Sequence, residues 1–250
     1  MTAPLSPALL AVTGLTKRFG GFTALEGVDL AVAPGERLGL IGPNGSGKST
    51  LVNCIAGTLR NDAGRIAFRG RDIGREPAFR RVHLGLARSF QIPRPFSSMT
   101  VLDNLCVPLL YAAHANVKEL PRRHEVVVEE ALALLAQVGL EARADSRSGE
   151  LTQVDMRKLE LARAIASRPR LLIADEAMAG LSPAEIDEVL AILLAMKARG
   201  IAVMMIEHIM RAVMRFSERI AVLVAGRKIA DGPPEGVLRN AEVERAYLGQ

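Results

Sequence analysis

The stretch IGPNGSGKST, residues 41–50, decides how the rest of this chain is interpreted. Two glycines, Gly42 and Gly47, bracket four residues, and Lys48 and two hydroxyl residues follow. In a G-x-x-x-x-G-K-[ST] loop the glycines let backbone N–H groups approach phosphate oxygens, the lysine reaches the β- and γ-phosphates, and the first hydroxyl ligates Mg²⁺. The spacing therefore predicts a nucleotide-binding loop that consists of Gly42, Pro43, Asn44, Gly45, Ser46, Gly47, Lys48, Ser49 and Thr50.

The sequence on either side of this loop has the pattern that such a loop needs. The apolar run 37–41 predicts a strand before it, and 51–57 predicts a helix that Gly57 ends. Further apolar runs at 171–174, 201–206 and 220–225 are typical of strands buried on both faces of a mainly parallel sheet. A helix is predicted over 183–200, with proline in its first turn and glycine at its end.

Polar side chains follow several of these predicted strands. Asp175 and Glu176 come after the run 171–174, His208 follows 201–206, and Gln91 follows another short apolar stretch. Ligands of open α/β sheets bind beyond the carboxyl ends of the strands, so we expect these four side chains to gather near Lys48. Asp175 would then join Ser49 at Mg²⁺, and Glu176 would act as general base towards a water molecule.

The middle and the N-terminus of the chain have different patterns. No strong strand signal occurs over 92–157, whereas 124–140 has helical apolar spacing, so this part predicts an inserted helical sub-domain. Residues 22–32 alternate enough to predict a short antiparallel sheet at the edge.

Composition narrows the function classes. The net charge of +5 is not concentrated in any Lys/Arg run, which favours a mildly basic surface and no nucleic-acid partner. Cys54 and Cys106 form no CxxC pair and suit a reducing compartment. No charged segment precedes the first apolar stretch and no long uncharged apolar window occurs, so we expect neither a signal peptide nor a membrane span.

Taken together, these motifs resemble the ATP-binding subunits of ABC transporters nearly from end to end. The phosphate loop resembles their Walker A motif, RLLIADE their Walker B motif, AGLSP (179–183) their D-loop, and LTQVD (151–155) stands at their signature motif. By this resemblance Phe19 would stack on adenine, Gln91 would be the Q-loop glutamine, and His208 the switch histidine. RFGGFTAL, ARSFQIPRPFSSMTVLDN, DEAMAGLSP and AEVERAYLGQ resemble more closely the ATPase subunits of branched-chain amino-acid importers.

The resemblance implies a fold, cofactors and partners. The fold would be α/β: a P-loop NTPase (RecA-like) core with an N-terminal antiparallel β edge and the inserted helical sub-domain. One ABC ATPase domain would span 1–250, with 1–91 and 158–235 as the core, 92–157 as the helical signature sub-domain and 236–250 as a tail. ATP and Mg²⁺ would bind, and the partners would be two membrane permeases, a second ATPase subunit in a heterodimer or homodimer, and indirectly a periplasmic binding protein. The chain would lie peripherally on the cytoplasmic face of the inner membrane, with its permease-docking surface around Phe96 to Met99.

The signature segment departs from the family pattern LSGGQ. It reads Thr152, Gln153, Val154 and Asp155 after the leucine, so that Val154 replaces the second glycine. The glycine often adopts backbone conformations that a β-branched residue resists, and an aspartate adds negative charge near a phosphate. Because this loop would serve the partner's ATP, two alternatives are open: one ATP site of a heterodimer hydrolyses slowly, or the loop tolerates valine and both sites turn over.

Other functions are also compatible with the phosphate loop. A lipopolysaccharide-export ATPase shares the C-terminal ending, although its Q-loop neighbourhood usually differs. A soluble ABC ATPase acting on DNA or the ribosome would need a coiled-coil insertion or a second cassette, and neither occurs in this sequence. A kinase or GTPase would give no reason for the order of Gln91, LTQVD and His208. A non-hydrolysing regulatory subunit would not need Lys48 and Glu176.

Overall fold

The computed structural model describes residues 8–89, 93–111 and 124–248 and contains two β-sheets in this part of the chain. The strands are β1 Leu10–Phe19, β2 Phe22–Val32, β3 Arg37–Ile41, β4 Ala63–Phe68, β5 Arg71–Asp72, β6 Leu86–Ser89, β7 Leu171–Asp175, β8 Ala202–Ile206, β9 Arg219–Val224 and β10 Arg227–Gly232.

The larger sheet has the order β10-β9-β3-β8-β7-β6. Strands β9, β3, β8, β7 and β6 pair in parallel, and β10 closes one edge antiparallel to β9. All residues of β7 and β8 are buried, as expected for central strands covered on both faces. The α/β prediction is therefore confirmed, and the carboxyl ends of five strands meet at one edge.

The smaller sheet has the order β2-β1-β4-β5 and is antiparallel. The predicted N-terminal antiparallel edge thus forms a separate four-stranded sheet rather than an extension of the parallel one. Strands β4 and β5 complete it. They were not predicted, because the first half of β4 and both residues of β5 are exposed and carry no alternating apolar pattern.

Helices pack on the parallel sheet, and the described chain between β6 and β7 is mainly helical. They are α1 Lys48–Ala56, α2 Ala78–His83, α3 Val101–Tyr111, α4 His124–Val138, α5 Gln153–Ala166, α6 Pro183–Ala195, α7 Met210–Phe216, α8 Pro234–Leu238 and α9 Ala241–Leu248. Helix α1 begins three residues earlier than predicted. Helix α6 ends at Ala195, and a 3₁₀ turn leads from there to Gly200, whose φ is +69°.

Two apolar cores lie on opposite faces of the parallel sheet. One joins α1 and the antiparallel sheet to that face of the parallel sheet which Leu38, Leu171 and Ile173 line. The other joins the opposite face to helices α3, α4, α5 and α6. In the described ranges no strand lies between α3 and α5, so this part is helical as predicted, and the proposed sub-domain boundaries stay a prediction. None of the described helices is long and apolar enough to cross a bilayer.

Helix α1 begins in the phosphate loop, and a buried arginine of α2 donates to the carbonyl groups at its C-terminal end. Arg81 of α2 is 2% exposed, and its guanidinium donates to the carbonyl oxygens of Cys54 and Ile55 at 2.8 and 2.7 Å. It also donates to Glu76 O at 2.8 Å. The last carbonyl groups of a helix have no partner within that helix, so Arg81 satisfies acceptors that are buried away from water.

We expect Arg81→Met to lower the free energy of unfolding by about 2–4 kcal/mol, because at least two buried carbonyl groups lose their donor. Urea denaturation followed by circular dichroism measures this change. Arg80→Met is the matched control, since the Arg80 side chain is 63% exposed and pairs at the surface with Glu76; it should cost less than about 0.5 kcal/mol. Equal losses in the two variants would contradict the capping role of Arg81.

Candidate nucleotide-binding site

The phosphate loop is held by close backbone contacts on both sides. A Cβ atom at Gly42 would overlap the carbonyl oxygen of Leu223 on β9, and one at Gly47 would lie 2.7 Å from the carbonyl oxygen of Ala24 on β2. The φ of Gly47 is +102°, a conformation that glycine adopts readily. The loop is therefore fixed between the two sheets, and glycine is required at these two positions for steric reasons.

Lys48 is the first residue of α1, and its side chain turns back over the loop. Its Nζ donates to the carbonyl oxygens of Gly42 and Pro43 at 2.7 and 3.0 Å. Burial lowers the pKa of this amine, while the carboxylates of Glu176 and Asp175 act in the opposite direction. The amine is thus a partly desolvated donor next to two carboxylates, which suits a group that meets a phosphate.

A cavity of about 330 Å³ opens beside this loop. Its lining combines residues of the β1–β2 region, the phosphate loop and the end of β7. The lining residues are Phe19, Phe22, Ala24, Asn44, Gly45, Ser46, Gly47, Lys48, Ser49, Thr50 and Glu176. Phe19 and Phe22 face each other across the two-residue turn between β1 and β2, and they are 50% and 64% exposed. An aromatic ring exposed beside a phosphate loop provides a flat apolar face on which a nucleobase can stack. The sequence predicted Phe19 here but missed Phe22.

Glu176 reaches this cavity through an unusual backbone conformation. It is one of four described non-glycine residues with a positive φ, at +47°, and its N–H donates to Ile206 O on β8 at 2.9 Å. For a residue with a Cβ this left-handed conformation costs about 1–3 kcal/mol, and such strain is concentrated at functional sites. The chain turns sharply after β7, and this turn brings the Glu176 carboxylate to the phosphate loop.

Asp175 ends β7 and is nearly buried, with a side chain that is 10% exposed. Its Oδ2 accepts from Arg88 Nη2 on β6 at 2.6 Å, and Arg88 Nη1 donates to Asn53 Oδ1 of α1, also at 2.6 Å. Sequence reasoning missed both Arg88 and Asn53. The sequence signal for Arg88 was a charged residue among uncharged neighbours in a short predicted strand.

His208 follows β8 and is exposed. Next to it, Glu207 is 2% exposed, and its Oε1 accepts from Met178 N at 2.9 Å. Burial raises the pKa of this carboxyl, against the effect of the Met178 N–H group. Glu207 therefore ties the end of β8 to the segment after Glu176, a link that the sequence did not predict.

The signature segment has a helical backbone from Gln153 onward. Thr152 is the N-cap of α5, and its Oγ1 accepts from Asp155 N at 3.2 Å. Val154 lies in the first helical turn, packs on the helical core, and is not among the described residues with positive φ. The α-helical backbone at Val154 accommodates a β-branched residue, as in the alternative in which the loop tolerates valine.

Two predicted residues remain, Gln91 and Gln153. Gln91 lies outside the described residues, as do 90 and 92. Gln153 is exposed, and its Nε2 donates to Ala179 O at 3.4 Å in the segment predicted as the D-loop. Arg157 of α5, which is nearly buried, donates to the same oxygen at 3.4 Å. The start of α5 thus contacts the loop that follows Glu176.

The arrangement has the chemical groups that phosphoanhydride hydrolysis requires. The N-terminus of α1 and Lys48 present positive charge to phosphates, and aromatic rings line the same cavity. A carboxylate, that of Glu176, lines this cavity too, where it can accept a proton from an attacking water molecule.

Comparison with known proteins identifies relatives over almost the entire length. A model of the ABC transporter family matches residues 25–179. The high-affinity branched-chain amino acid transport ATP-binding protein BraF of Pseudomonas aeruginosa is 37% identical, over 98% of this chain and 100% of its own. LivG of Escherichia coli, which has the same descriptive name, is 36% identical over the same shares. The crystal structure of the ADP conformation of MJ1267, an ATP-binding cassette of an ABC transporter, is 34% identical with a TM-score of 0.87, and the match covers 98% of this chain and 100% of that one.

The positive φ at Glu176 gives a stability prediction. We expect Glu176→Gly to be more stable than Glu176→Ala by about 1 kcal/mol, because glycine adopts the left-handed conformation without a Cβ penalty. At Glu188, in the middle of α6, the same pair of substitutions should give the reverse order by about the same amount, since alanine is favoured in a helix. Thermal and urea denaturation of the four variants test this, and the same order at both positions would contradict backbone strain at Glu176.

Proposed function

Because the chain belongs to the ABC transporter family, as one of its ATP-binding and ATP-hydrolysing cassettes, we propose that it powers an importer of branched-chain amino acids or related small substrates. The proposal is supported by relatives with this descriptive name that match the chain nearly from end to end. They come from both bacteria and archaea, which makes a chance agreement of names a poor explanation.

One observation carries the ATPase mechanism: a single cavity brings together Lys48, Glu176 and Phe19. Lys48 would bind the β- and γ-phosphates, and Phe19 would stack on adenine. Glu176 would accept the proton of the attacking water. His208 and Gln91 would complete the site as switch histidine and Q-loop glutamine, each in the role that its motif position implies.

The side chains present fit Mg²⁺. Ser49, Asp175 and Gln91 offer a hydroxyl, a carboxylate and an amide oxygen, which are the hard ligands that this ion prefers. Within the described ranges no three His, Cys, Asp or Glu side chains cluster closely enough to hold a metal ion by themselves. This agrees with the usual Mg²⁺ site of such enzymes, in which one carboxylate and substrate phosphates share the ion. When bound, the ion would neutralise the charge that develops on the phosphates.

The partners follow from the same proposal. Two permease subunits would form the transmembrane path, and a second ATPase chain would bring its own signature motif to the ATP held by Lys48. A periplasmic binding protein would act on the permeases, and no nucleic acid would take part. The chain would lie peripherally on the cytoplasmic face of the inner membrane.

The surface around Phe96 to Met99 is proposed to dock the permease. Phe96 and Met99 are 44% and 39% exposed, and they share one turn in which Met99 N donates to Phe96 O at 2.9 Å. The backbone N–H and carbonyl of Phe96 are both bonded to the buried Asn104 side chain, at 2.8 and 3.1 Å. The surface is therefore presented on a fixed backbone, as a docking site requires.

Co-purification from native membranes tests the function. We expect the tagged chain, solubilised in mild detergent, to bring down two permease chains and a second ATPase, identified by mass spectrometry. Phe96→Ser should reduce the recovered permeases, while Phe79→Ser, which changes a 62% exposed phenylalanine on α2, serves as the matched surface control.

Other outcomes point elsewhere. Recovery with a lipopolysaccharide-export permease pair would replace the importer by an exporter. Recovery in the soluble fraction with ribosomes, nucleic acid or no partner would favour a soluble ABC ATPase. Full assembly without turnover would favour a regulatory subunit.

The helical backbone at Val154 supports the alternative in which both ATP sites of the assembly turn over. We expect Val154→Gly to leave the ATPase rate of the assembled complex within about twofold, and to lower stability by about 0.5 kcal/mol through helix propensity. Val154→Ala separates the side chain from the backbone effect. A severalfold rise in ATPase rate with glycine, and not with alanine, would instead support a slow site closed by this loop.

A further inference from the structure

Arg88 of β6 lies next to Asp175, at the end of β7, on one face of the parallel sheet. Side chains alternate along a strand, so Arg88 shares the face of Leu86, and Asp175 shares the face of Ile173. Leu86 and Ile173 both belong to the core that includes α1. Arg88 and Asp175 therefore point to the side of the sheet on which α1 and the phosphate loop lie.

The guanidinium of Arg88 bridges the two motifs of the site. Its Nη2 donates to Asp175 Oδ2 and its Nη1 to Asn53 Oδ1, both at 2.6 Å. The side chains of Arg88 and Asp175 are only 13% and 10% exposed. Asn53 lies one helical turn after Ser49 on α1, so both project from the same side of this helix. Arg88 thus connects the strand end that carries Asp175 with the helix that carries Ser49.

We propose that Arg88 is a positioning residue for the magnesium site, which holds Asp175 at a fixed orientation relative to Ser49 by bridging Asp175 and Asn53. Arg88 donates to Oδ2 of Asp175, so the other carboxylate oxygen would be the one to hold the metal. The inference rests on the proposed roles of Asp175 and Ser49. It adds a residue from a third element, β6, to the α1 and β7 residues of the site.

The geometry explains why an arginine is used. Arginine has a planar fork of donors that can serve two oxygen acceptors at once, whereas lysine offers a single ammonium. The two acceptors here belong to different elements, α1 and β7, so both legs of the fork are needed to fix their distance. Groups behind a metal ligand that hold it in place typically change metal affinity by 10–100-fold when they are altered.

Arg88 also determines which cation Asp175 pairs with. Lys48 lies close enough to be attracted by the Asp175 carboxylate, yet its ammonium donates to Gly42 and Pro43. An Asp175 carboxylate released from Arg88 would have Lys48 as a neighbouring cation. Pairing with Lys48 would withdraw both the carboxylate from the metal and the amine from the phosphates.

The experiment measures metal binding without turnover. The full-length chain with Glu176→Gln is saturated with ATP and titrated with Mn²⁺, and free Mn²⁺ is read by electron paramagnetic resonance. We expect Arg88→Lys to weaken Mn²⁺ binding about tenfold. Asn53→Ala removes one leg of the bridge, and we expect it to weaken Mn²⁺ binding in the same direction by about threefold.

Controls separate positioning from folding. Arg65→Lys changes another Arg–Asp pair, Arg65 with Asp72 at 3.0 Å on the antiparallel sheet, and should leave Mn²⁺ binding unchanged. Binding of a fluorescent ATP analogue in EDTA should be the same in Arg88→Lys as in its parent, which shows an intact nucleotide cavity. Thermal denaturation confirms that each variant is folded.

Each result decides the matter. Unchanged Mn²⁺ binding in Arg88→Lys and Asn53→Ala would overturn the proposal, also if both variants melt at lower temperature, because Arg88 would then be structural only. Normal binding in Asn53→Ala with weak binding in Arg88→Lys would overturn the bridge and leave only the direct contact between the Arg88 guanidinium and Asp175. Asp175→Asn tests the premise: if it binds Mn²⁺ normally, the proposed metal site itself is wrong, whereas weak binding there with normal Arg88→Lys rejects only the role of Arg88.

Discussion

The structure depends on the position of the phosphate loop between two backbone carbonyl groups. Gly42 lies against Leu223 O of the parallel sheet, and Gly47 lies against Ala24 O of the antiparallel sheet. The loop therefore contacts both sheets, which also meet where Glu26 N donates to Gly226 O at 2.9 Å. Because β2 is fixed against the loop at Ala24, the turn that carries Phe19 and Phe22 is held at the rim of the same cavity. A larger residue at either glycine would push the loop away from one of the sheets and so separate Phe19 and Phe22 from the phosphate loop.

The charges around the cavity are arranged by the parallel strands. Strands β7 and β8 end next to each other, so Asp175, Glu176 and Glu207 come together at one edge of the sheet. Carboxylates at this spacing repel one another in a partly buried site, and cations from other elements offset the repulsion. Arg88 contacts Asp175 directly, and the Arg157 guanidinium on α5 lies near Glu207 and Glu176. Three separate elements, β6, α1 and α5, thus contribute cations to an edge that would otherwise collect only negative charge.

The sequence predicted the elements whose signal is local. The four buried strands β3, β7, β8 and β9 were placed within one residue at each end, because continuous apolar runs between polar residues define them. Strands β4 and β5 were missed since most of their side chains are exposed. β4 pairs with β1 and buries Ile66 and Phe68, and β5 pairs with β4. The start of α1 was placed too late because Lys48, Ser49 and Thr50 are polar, although the helix begins with them.

The residues of the candidate site that the sequence predicted are those that belong to recognisable motifs. Walker A, Walker B and Phe19 occupy one region, whereas Arg88, Asn53 and Glu207 have no motif and came only from the fold. Arg88 and Asp175 are 87 residues apart in the chain, and only the parallel pairing of β6 with β7 brings them together. Val154 lies in a regular helix capped by Thr152, and the departure from the family pattern did not by itself reveal this backbone.

The helical start of α5 also bears on how the two ATP sites of an assembly would communicate. Gln153 and Arg157 both donate to Ala179 O, so the signature segment and the loop after Glu176 are connected within one chain. That loop begins at the strained Glu176 backbone and is held a second time by Glu207, which accepts from Met178 N. A shift of Glu176 would therefore reach α5 through backbone atoms only three residues away. In the proposed assembly each signature motif would serve the ATP of the partner chain, so this short segment would connect one ATP site to the other.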